Sequence, residues 1–227
     1  MRIMVHACPK RMWYVEGYLV PKLVEQGIPK KGIVVWNDDA GKGNLVSCME
    51  AFKWCGEHPV KDGTWHLQDD VIPAVDFMEK AERIADDVAC GFRPGHRGRL
   101  ERRCMRERNE NGGYVSVRTQ GWTFQCFRIS DRIAGECAKW FFEEAPKDER
   151  FRAVAETGQS DDWFFIQFLR LHYPDMSIMY AVPNIVEHIA ELIGGSTLTP
   201  GQGFTSSAFP DRGEWREAED WIRSHGI

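Results

Sequence analysis

Two pairs of adjacent aspartates in this chain are candidates for metal binding or proton transfer. Asp69 and Asp70 directly follow a short apolar run, Thr64–Leu67, and Asp161 and Asp162 open a stretch with helical spacing. Carboxylate oxygens are preferred ligands of Mg²⁺ and Mn²⁺, which take further ligands from phosphates. A carboxylate facing a crevice could instead accept the proton of a hydroxyl group. Each pair has a structural alternative, since aspartate is common in turns and at helix starts.

His188 is a third candidate. The spacing of Ile185, Ile189 and Leu192 predicts a helix over Pro183–Ile193, with His188 beside its apolar stripe. Imidazole is a frequent metal ligand, but a single histidine in this position can also serve as a hydrogen-bonded structural residue.

The elements that would position these side chains alternate in the first third of the chain. Apolar runs and helical periodicity predict strands over Arg2–Ala7, Gly32–Trp36 and Thr64–Leu67, and helices over Pro9–Gln26, Asn44–Cys55 and Pro73–Ile84. Such alternation predicts an α/β fold with a mostly parallel central sheet and helices on both faces. Ligands bind at the carboxyl ends of the strands in these folds, so the loops after the three strands should meet in one crevice.

The second half shows a less regular pattern. It predicts strands at Asp87–Phe92, Tyr114–Thr119, Trp122–Arg128 and Ser177–Val182, helices at Asp131–Phe142, Ser160–Leu171 and Glu214–Ser224, and a loop at Lys147–Gln159. The strands on either side of Gln120-Gly121 are expected to form a hairpin. Pro21, inside the first helix of the chain, should kink or restart that helix.

In this order, the motifs resemble those of the GT-A class of nucleotide-sugar glycosyltransferases over most of the chain. Leu67-Gln68-Asp69-Asp70-Val71 is similar to one form of the DxD motif of that class, and Ser160-Asp161-Asp162-Trp163 is similar to its acidic helix-start motif. The segment Pro183–His188 together with Ser196–Leu198 resembles the tail of several such families, including branching N-acetylglucosaminyltransferases. Asn184 and Ala190 depart from that tail, where a small hydroxyl residue and glycine are usual.

The resemblance implies a GT-A-like fold and a role for each candidate. Asp70 and His188 would hold Mn²⁺ or Mg²⁺ against the donor diphosphate, and Asp69 would bind the ribose or share the metal. Asp162, or its neighbour Asp161, would take the proton of the acceptor hydroxyl in an inverting reaction. The chain is then expected to be a single domain with a nucleotide-donor half (1–90), an acceptor and metal half (91–213) and a terminal helix (214–227).

The resemblance also implies a donor site in the loops after the first two strands. His6 and Arg11 lie where such enzymes bind the base and phosphate, and Asp38 and Asp39 lie where a carboxylate commonly reads uracil, which favours a UDP-sugar. Lys42 could meet the diphosphate. Each of these charges could instead be an ordinary solvated loop residue.

An arginine-rich segment concerns the acceptor. Residues 93–108 contain seven Arg and no Lys, and arginine predominates where planar phosphate contacts are made. Arg97, Arg102 and Arg103 would bind a nucleic-acid acceptor, for example a hydroxylated base in modified DNA, and Trp122 would stack on a base. The alternatives are a solvated helix face, or arginines that close over the donor diphosphate, with a glycan or small molecule as the acceptor.

Composition limits the other classes of function. The chain has 227 residues and a net charge of −5, so it is not a globally basic nucleic-acid coat protein. It contains no apolar run of membrane-spanning length and no apparent signal peptide, which predicts a cytoplasmic protein without a membrane partner. Two other functions remain open: a metal-dependent nuclease or phosphohydrolase built on Asp69, Asp70 and Asp161 or Asp162, and a non-catalytic binding module.

Overall fold

A computed structural model describes residues 1–84, 87–91, 114–118, 125–157, 161–181, 184–194 and 212–225. The strands in these residues are β1 (Arg2–Ala7), β2 (Ile33–Asn37), β3 (Thr64–Gln68), β4 (Val71–Pro73), β5 (Val88–Cys90), β6 (Tyr114–Arg118), β7 (Cys126–Ile129), β8 (Ser177–Ala181) and β9 (Val186–His188). The helices are α1 (Met12–Tyr14, Val15–Leu19 and Val20–Glu25 in succession), α2 (Asn44–Glu57), α3 (Phe77–Glu82), α4 (Asp131–Glu143), α5 (Glu149–Thr157), α6 (Asp161–His172) and α7 (Arg212–His225).

A seven-stranded sheet with the order β2-β1-β3-β7-β5-β8-β6 forms the centre of the fold. The β1–β2, β1–β3 and β5–β8 pairs are parallel, whereas β7 is antiparallel to both β3 and β5, and β6 is antiparallel to β8. Consequently β1, β2, β3, β5 and β8 all run in one direction, and β6 and β7 run in the other. The predicted α/β class with a mostly parallel central sheet is confirmed, and the GT-A-like assignment stays a prediction.

Helices cover both faces of this sheet, because side chains alternate between the two faces along each strand. In β1, Ile3 and Val5 face a core that includes residues of α1, α3 and α7, whereas Met4 faces a second core with residues of α2, α4 and α6. Each face is therefore buried under its own helical layer.

A small second sheet lies next to the large one and consists of β4 and β9, which pair antiparallel. The tight connection from β3 through Asp69 and Asp70 leads directly into β4. This small sheet joins the carboxyl end of β3 to residues more than a hundred positions later in the chain.

Three local predictions are wrong. Of the residues predicted as a helix over Pro183–Ile193, the described ones, 184–193, contain β9 and a short 3-10 helix, Ala190–Ile193. The described strands β6 and β7 do not form the predicted hairpin, since β6 pairs with β8 and β7 lies between β3 and β5. The expected loop over Lys147–Gln159 contains α5.

The irregularity near Pro21 takes the form of a π-helical turn, Val15–Leu19, after which α-helical geometry restarts at Val20. Proline has no N–H to donate to the carbonyl four residues earlier, so the hydrogen-bond ladder must change near this position. In the described part of the chain, no helix combines the length and the apolar composition that a bilayer crossing requires.

Candidate functional site

Asp70 and His188, the two predicted metal ligands, are brought together by the small sheet. Val71 pairs with His188 across the β4–β9 ladder, and the N–H of Ile189 donates to the carbonyl of Asp70 at 2.8 Å. As a result, His188 Nε2 lies 3.2 Å from Asp70 Oδ2, and both side chains are buried. His188 therefore sits on a strand and not on the predicted helix, yet it reaches the predicted partner.

Arg11 is the third member of this buried cluster. It ends the 3-10 turn that follows β1, and its Nη1 donates to Asp69 Oδ1 at 2.6 Å and to Asp70 Oδ2 at 2.9 Å. The other oxygen of Asp69, Oδ2, accepts the backbone N–H of Cys8 at 2.8 Å. Both carboxylate oxygens of Asp69 are thus held by the loop after β1.

The charges of the cluster shift the acidities of its members. Burial opposes ionisation of Asp70, but the hydrogen bond and charge of His188, together with Arg11, outweigh it and hold the pKa of Asp70 below its usual value. Burial and the neighbouring charge of Asp70 raise the pKa of Asp69 despite Arg11. For His188, burial lowers the pKa, but the hydrogen bond and charge of Asp70 outweigh it, so the pKa of His188 is raised.

Asp70 and His188 fit a divalent cation of the kind that binds mainly through substrate phosphates. Asp70 Oδ1 is buried and has no hydrogen-bond partner within the described residues, so one carboxylate oxygen is available. Those residues contain no group of three or more His, Cys, Asp or Glu arranged to hold a metal. Mg²⁺ is commonly held by one or two carboxylates, with phosphates and waters completing its coordination, and a metal bound to His188 requires its neutral form.

Asp161 and Asp162 begin α6 at the same edge of the sheet as this cluster. Because α6 leads into β8, which runs parallel to β1, its first residues lie where the parallel strands end. Asp161 is only 7% exposed, and its Oδ1 accepts the N–H of Asp162 at 3.0 Å. Burial, then the charge of Asp162 and to a lesser degree that of Asp70, raise the pKa of Asp161 to about 7.

Asp162 is less buried than Asp161 and also has a raised pKa, chiefly through burial. Its Oδ1 accepts the N–H of Trp163 at 2.7 Å, in the manner of a helix-start carboxylate. The two aspartates therefore differ in environment, since Asp161 is buried and Asp162 is only half-buried.

His6, near the end of β1, is half-buried and is paired with the buried histidine His66. Its Nε2 lies 2.8 Å from His66 Nδ1 on β3. Burial lowers the pKa of His6 to about 4, so the ring is neutral near pH 7. A neutral His6 can bind a ligand through hydrogen bonding but brings no positive charge to a diphosphate.

The other predicted donor residues have partners within their own loop. Asp38 Oδ1 and Oδ2 accept the backbone N–H groups of Lys42 and Gly43, both at 2.9 Å. Lys42 Nζ contacts Glu50 Oε1 at 2.7 Å, and Asp39 Oδ1 accepts from Asn37 Nδ2 at 2.6 Å. These contacts order the loop between β2 and α2, and the donor roles of Asp38, Asp39 and Lys42 stay predictions.

The predicted acceptor residues Arg97, Arg102, Arg103 and Trp122 lie outside the described residues. Their proposed contacts with an acceptor therefore stay predictions.

Sequence reasoning missed two contacts that shape the site. One is the backbone N–H of Cys8 on Asp69, which no side-chain pattern could reveal. The other is Tyr14, whose buried hydroxyl donates to the carbonyl of Val71 at 2.8 Å, next to Asp70. In the sequence, Tyr14 is one of several apolar residues with helical spacing, and that spacing signals core packing only.

Comparisons with known proteins give only distant likenesses, all of them to solved structures. No protein-family model matches the chain, and no curated protein matches it. Among solved structures, the glycosyltransferase GlyE of Streptococcus pneumoniae TIGR4 aligns with a TM-score of 0.43 and 12% identity, over 99% of this chain and 63% of that chain. The chain thus spans less than two thirds of the length of that protein.

Proposed function

We propose that this protein is a metal-dependent glycosyltransferase that moves a sugar from a nucleotide-sugar donor to a hydroxyl acceptor. The observation that carries the proposal is the buried cluster of Asp69, Asp70, Arg11 and His188 at the carboxyl edge of the parallel strands, in which Asp70 Oδ1 has no partner among the described residues. A buried carboxylate oxygen without a partner is costly, and a ligand that completes it accounts for its presence.

Asp70 and His188 would hold Mn²⁺ or Mg²⁺ beside the donor diphosphate. When bound, the cation offsets the negative charge that builds on the departing nucleoside diphosphate. The loops after β1 and β2, with His6 and Asp38, would bind the nucleoside, and a UDP-sugar is the favoured donor.

Asp161 or Asp162 would accept the proton of the attacking hydroxyl. A base with a pKa close to the working pH is the most effective proton acceptor, and Asp161, with a pKa of about 7, meets that condition. Asp162 is more accessible to an acceptor. The acceptor itself would be a nucleic acid bound by the arginine-rich segment, or otherwise a glycan or small molecule.

A thermal-shift panel tests the donor and the metal together. UDP, GDP, CDP and TDP are added to the wild-type protein with Mn²⁺ or with EDTA. A ligand at about 100 times its dissociation constant stabilises by about 2.7 kcal/mol, so one nucleotide should raise the melting temperature by roughly 5–10 °C with Mn²⁺. The variant Asp70→Asn should lose this rise.

The matched control is Asp175→Asn, which removes an exposed carboxylate elsewhere on the surface and should keep the rise. A shift that is equal in Mn²⁺ and EDTA would overturn the metal role of Asp70. A flat panel would overturn the sugar-nucleotide donor and favour the binding module, whereas Mn²⁺-dependent cleavage of a phosphodiester, abolished by Asp70→Asn, would favour the nuclease.

A further inference from the structure

Arg11 is predicted from the resemblance to be a donor contact, but its surroundings indicate a different role. Its side chain is 7% exposed, and the side chains of Asp69 and Asp70 are 8% and 7% exposed. A guanidinium so enclosed, with both carboxylates within 3 Å, faces its own chain. Arginine is suited to this task because it holds several acceptors in a fixed geometry while remaining charged.

The two aspartates need such a cation. They are adjacent in sequence and both buried, and two carboxylates in one buried site repel each other when both are ionised. Arg11 Nη1 lies against one oxygen of each and so offsets this repulsion. This contact lowers the cost of holding both carboxylates in one buried site.

The contacts also determine which way Asp70 is turned. Its Oδ2 is held from two sides, by Arg11 and by His188, while Oδ1 has no partner within the described residues. Asp69 is held at both oxygens, by Arg11 and by the N–H of Cys8, and so anchors Arg11 to the loop after β1. The fixed group is thus Asp69 with Arg11, and Asp70 is oriented by it.

We infer that Arg11 is a positioning residue that neutralises the Asp69–Asp70 pair and orients Asp70 so that Oδ1 faces the incoming ligand, and that it does not itself bind the donor. This inference rests on the proposed function in one respect, namely that Asp70 meets the metal and diphosphate. The structural part of the inference is that Arg11 offsets the repulsion between Asp69 and Asp70. This part does not depend on the proposed function.

A double-mutant experiment separates positioning from donor binding. Arg11→Met keeps most of the apolar stem and removes the charge, so that the two carboxylates repel. Asp69→Asn removes one carboxylate but keeps an oxygen that can accept the N–H of Cys8. If Arg11 positions the pair, Arg11→Met alone should weaken the binding of UDP with Mn²⁺ by about tenfold or more, and the double variant Arg11→Met/Asp69→Asn should recover most of this loss.

A donor contact predicts the opposite result. If Arg11 binds the diphosphate directly, the double variant binds UDP with Mn²⁺ no better than Arg11→Met, and the inference fails. Lys10→Met is the matched control, because Lys10 is the neighbouring exposed cation in the same turn. It should leave the affinity unchanged.

Urea unfolding without any ligand tests the structural part of the inference. The proteins compared are the wild type, Arg11→Met, Asp69→Asn and the double variant. Arg11→Met should lower the unfolding midpoint, and adding Asp69→Asn should restore part of it, because the remaining carboxylate has no like-charged neighbour. Additive effects of the two substitutions would overturn the inference. If the coupling in urea is present but no nucleotide binds even the wild type, the proposed function fails while the role of Arg11 in holding the aspartates stands.

Discussion

At the scale of single residues, the same carboxyl group can serve as an anchor or as a ligand, depending on its partners. Asp69 and Asp70 are neighbours of the same type, yet Asp69 has both oxygens occupied by its own chain, whereas Asp70 Oδ1 has no partner among the described residues. The sequence predicts that this pair and His188 act together, since their types and order resemble a known motif. It cannot predict the division of roles, because that depends on Arg11 and on a backbone N–H of Cys8.

The buried carboxyl group of Asp161 should make the free energy of unfolding depend on pH. Its pKa is raised to about 7 in the folded protein, so between about pH 4 and pH 7 the folded state binds more protons than the unfolded state. The stability of the wild type should therefore fall as the pH rises through this window. Asp161→Asn removes this cost and should stabilise the protein by about 2–4 kcal/mol above pH 7, with the difference vanishing near pH 4.

Urea unfolding at pH 4.5, 6 and 8 measures this effect, and Asp175→Asn serves as the exposed control with an expected change near zero. A destabilised Asp161→Asn protein at pH 8 would show that the ionised carboxylate is held by favourable contacts instead. If Asp161 is also the base, the turnover of the wild type should rise with pH through about 7 and be lost in this variant.

At the scale of elements, the sequence predicts the strands and helices that have a clear apolar periodicity. It does not predict those whose conformation depends on pairing with a strand far away in the chain. The parallel strands β1 to β3 and the helices α2, α4 and α6 match the predicted order, since each has a continuous apolar pattern. The strand β9 has three residues, which is too short to show a period of two, and Ile185 and Ile189 happen to have helical spacing. Its partner β4 decides its conformation.

The hairpin prediction failed for a related reason. Neighbouring strands in the sequence commonly pair, but β5 and β8 lie between β6 and β7 in the sheet. Nothing in the local sequence of β6 and β7 identifies these partners. Helix α5 was not predicted, because this short segment follows a proline and several charged residues. Both features favour the prediction of a loop.

The α2–α4 contact depends on two glycines. A Cβ at Gly56 would lie 2.7 Å from the Cα of Gly135, and one at Gly135 would lie 3.1 Å from the Cα of Gly56. Since these neighbours are backbone atoms, the helices must move apart to admit a methyl group. We expect Gly56→Ala to destabilise the protein by about 1–2 kcal/mol net, the gain in helix propensity being smaller than the cost of overpacking.

Chemical denaturation measures this change, with Lys53→Ala as the control on the exposed side of the same helix. Lys53 has 63% of its side chain exposed, so its replacement should change stability by no more than about 0.5 kcal/mol. An unchanged or raised midpoint for Gly56→Ala would mean that the two helices can separate at little cost.

At the scale of the whole molecule, the two edges of the parallel strands carry different polar networks. The candidate site occupies the carboxyl edge, while Arg2, Thr64 and Asp131 form a buried network at the opposite edge. Arg2 Nη2 lies 2.9 Å from Asp131 Oδ2, and Thr64 Oγ1 donates to Asp131 Oδ1 at 2.6 Å. The N–H of Val60 also donates to Asp131, so this network joins β1, β3, α4 and the loop after α2.

Breaking this network should destabilise the fold without altering the site. Arg2→Met leaves the buried carboxylate of Asp131 without its cation, which should cost about 3–5 kcal/mol in urea unfolding. The network lies roughly 16 Å from the carboxyl end of β1, at about 3.3 Å per residue, so the folded variant should bind nucleotide with Mn²⁺ as the wild type does.

Arg132→Met, which removes an exposed partner of Glu136, should cost less than about 1 kcal/mol. A folded Arg2→Met protein with weakened nucleotide binding would show that the two edges are coupled through β1, because that strand leads from Arg2 to the turn that holds Arg11.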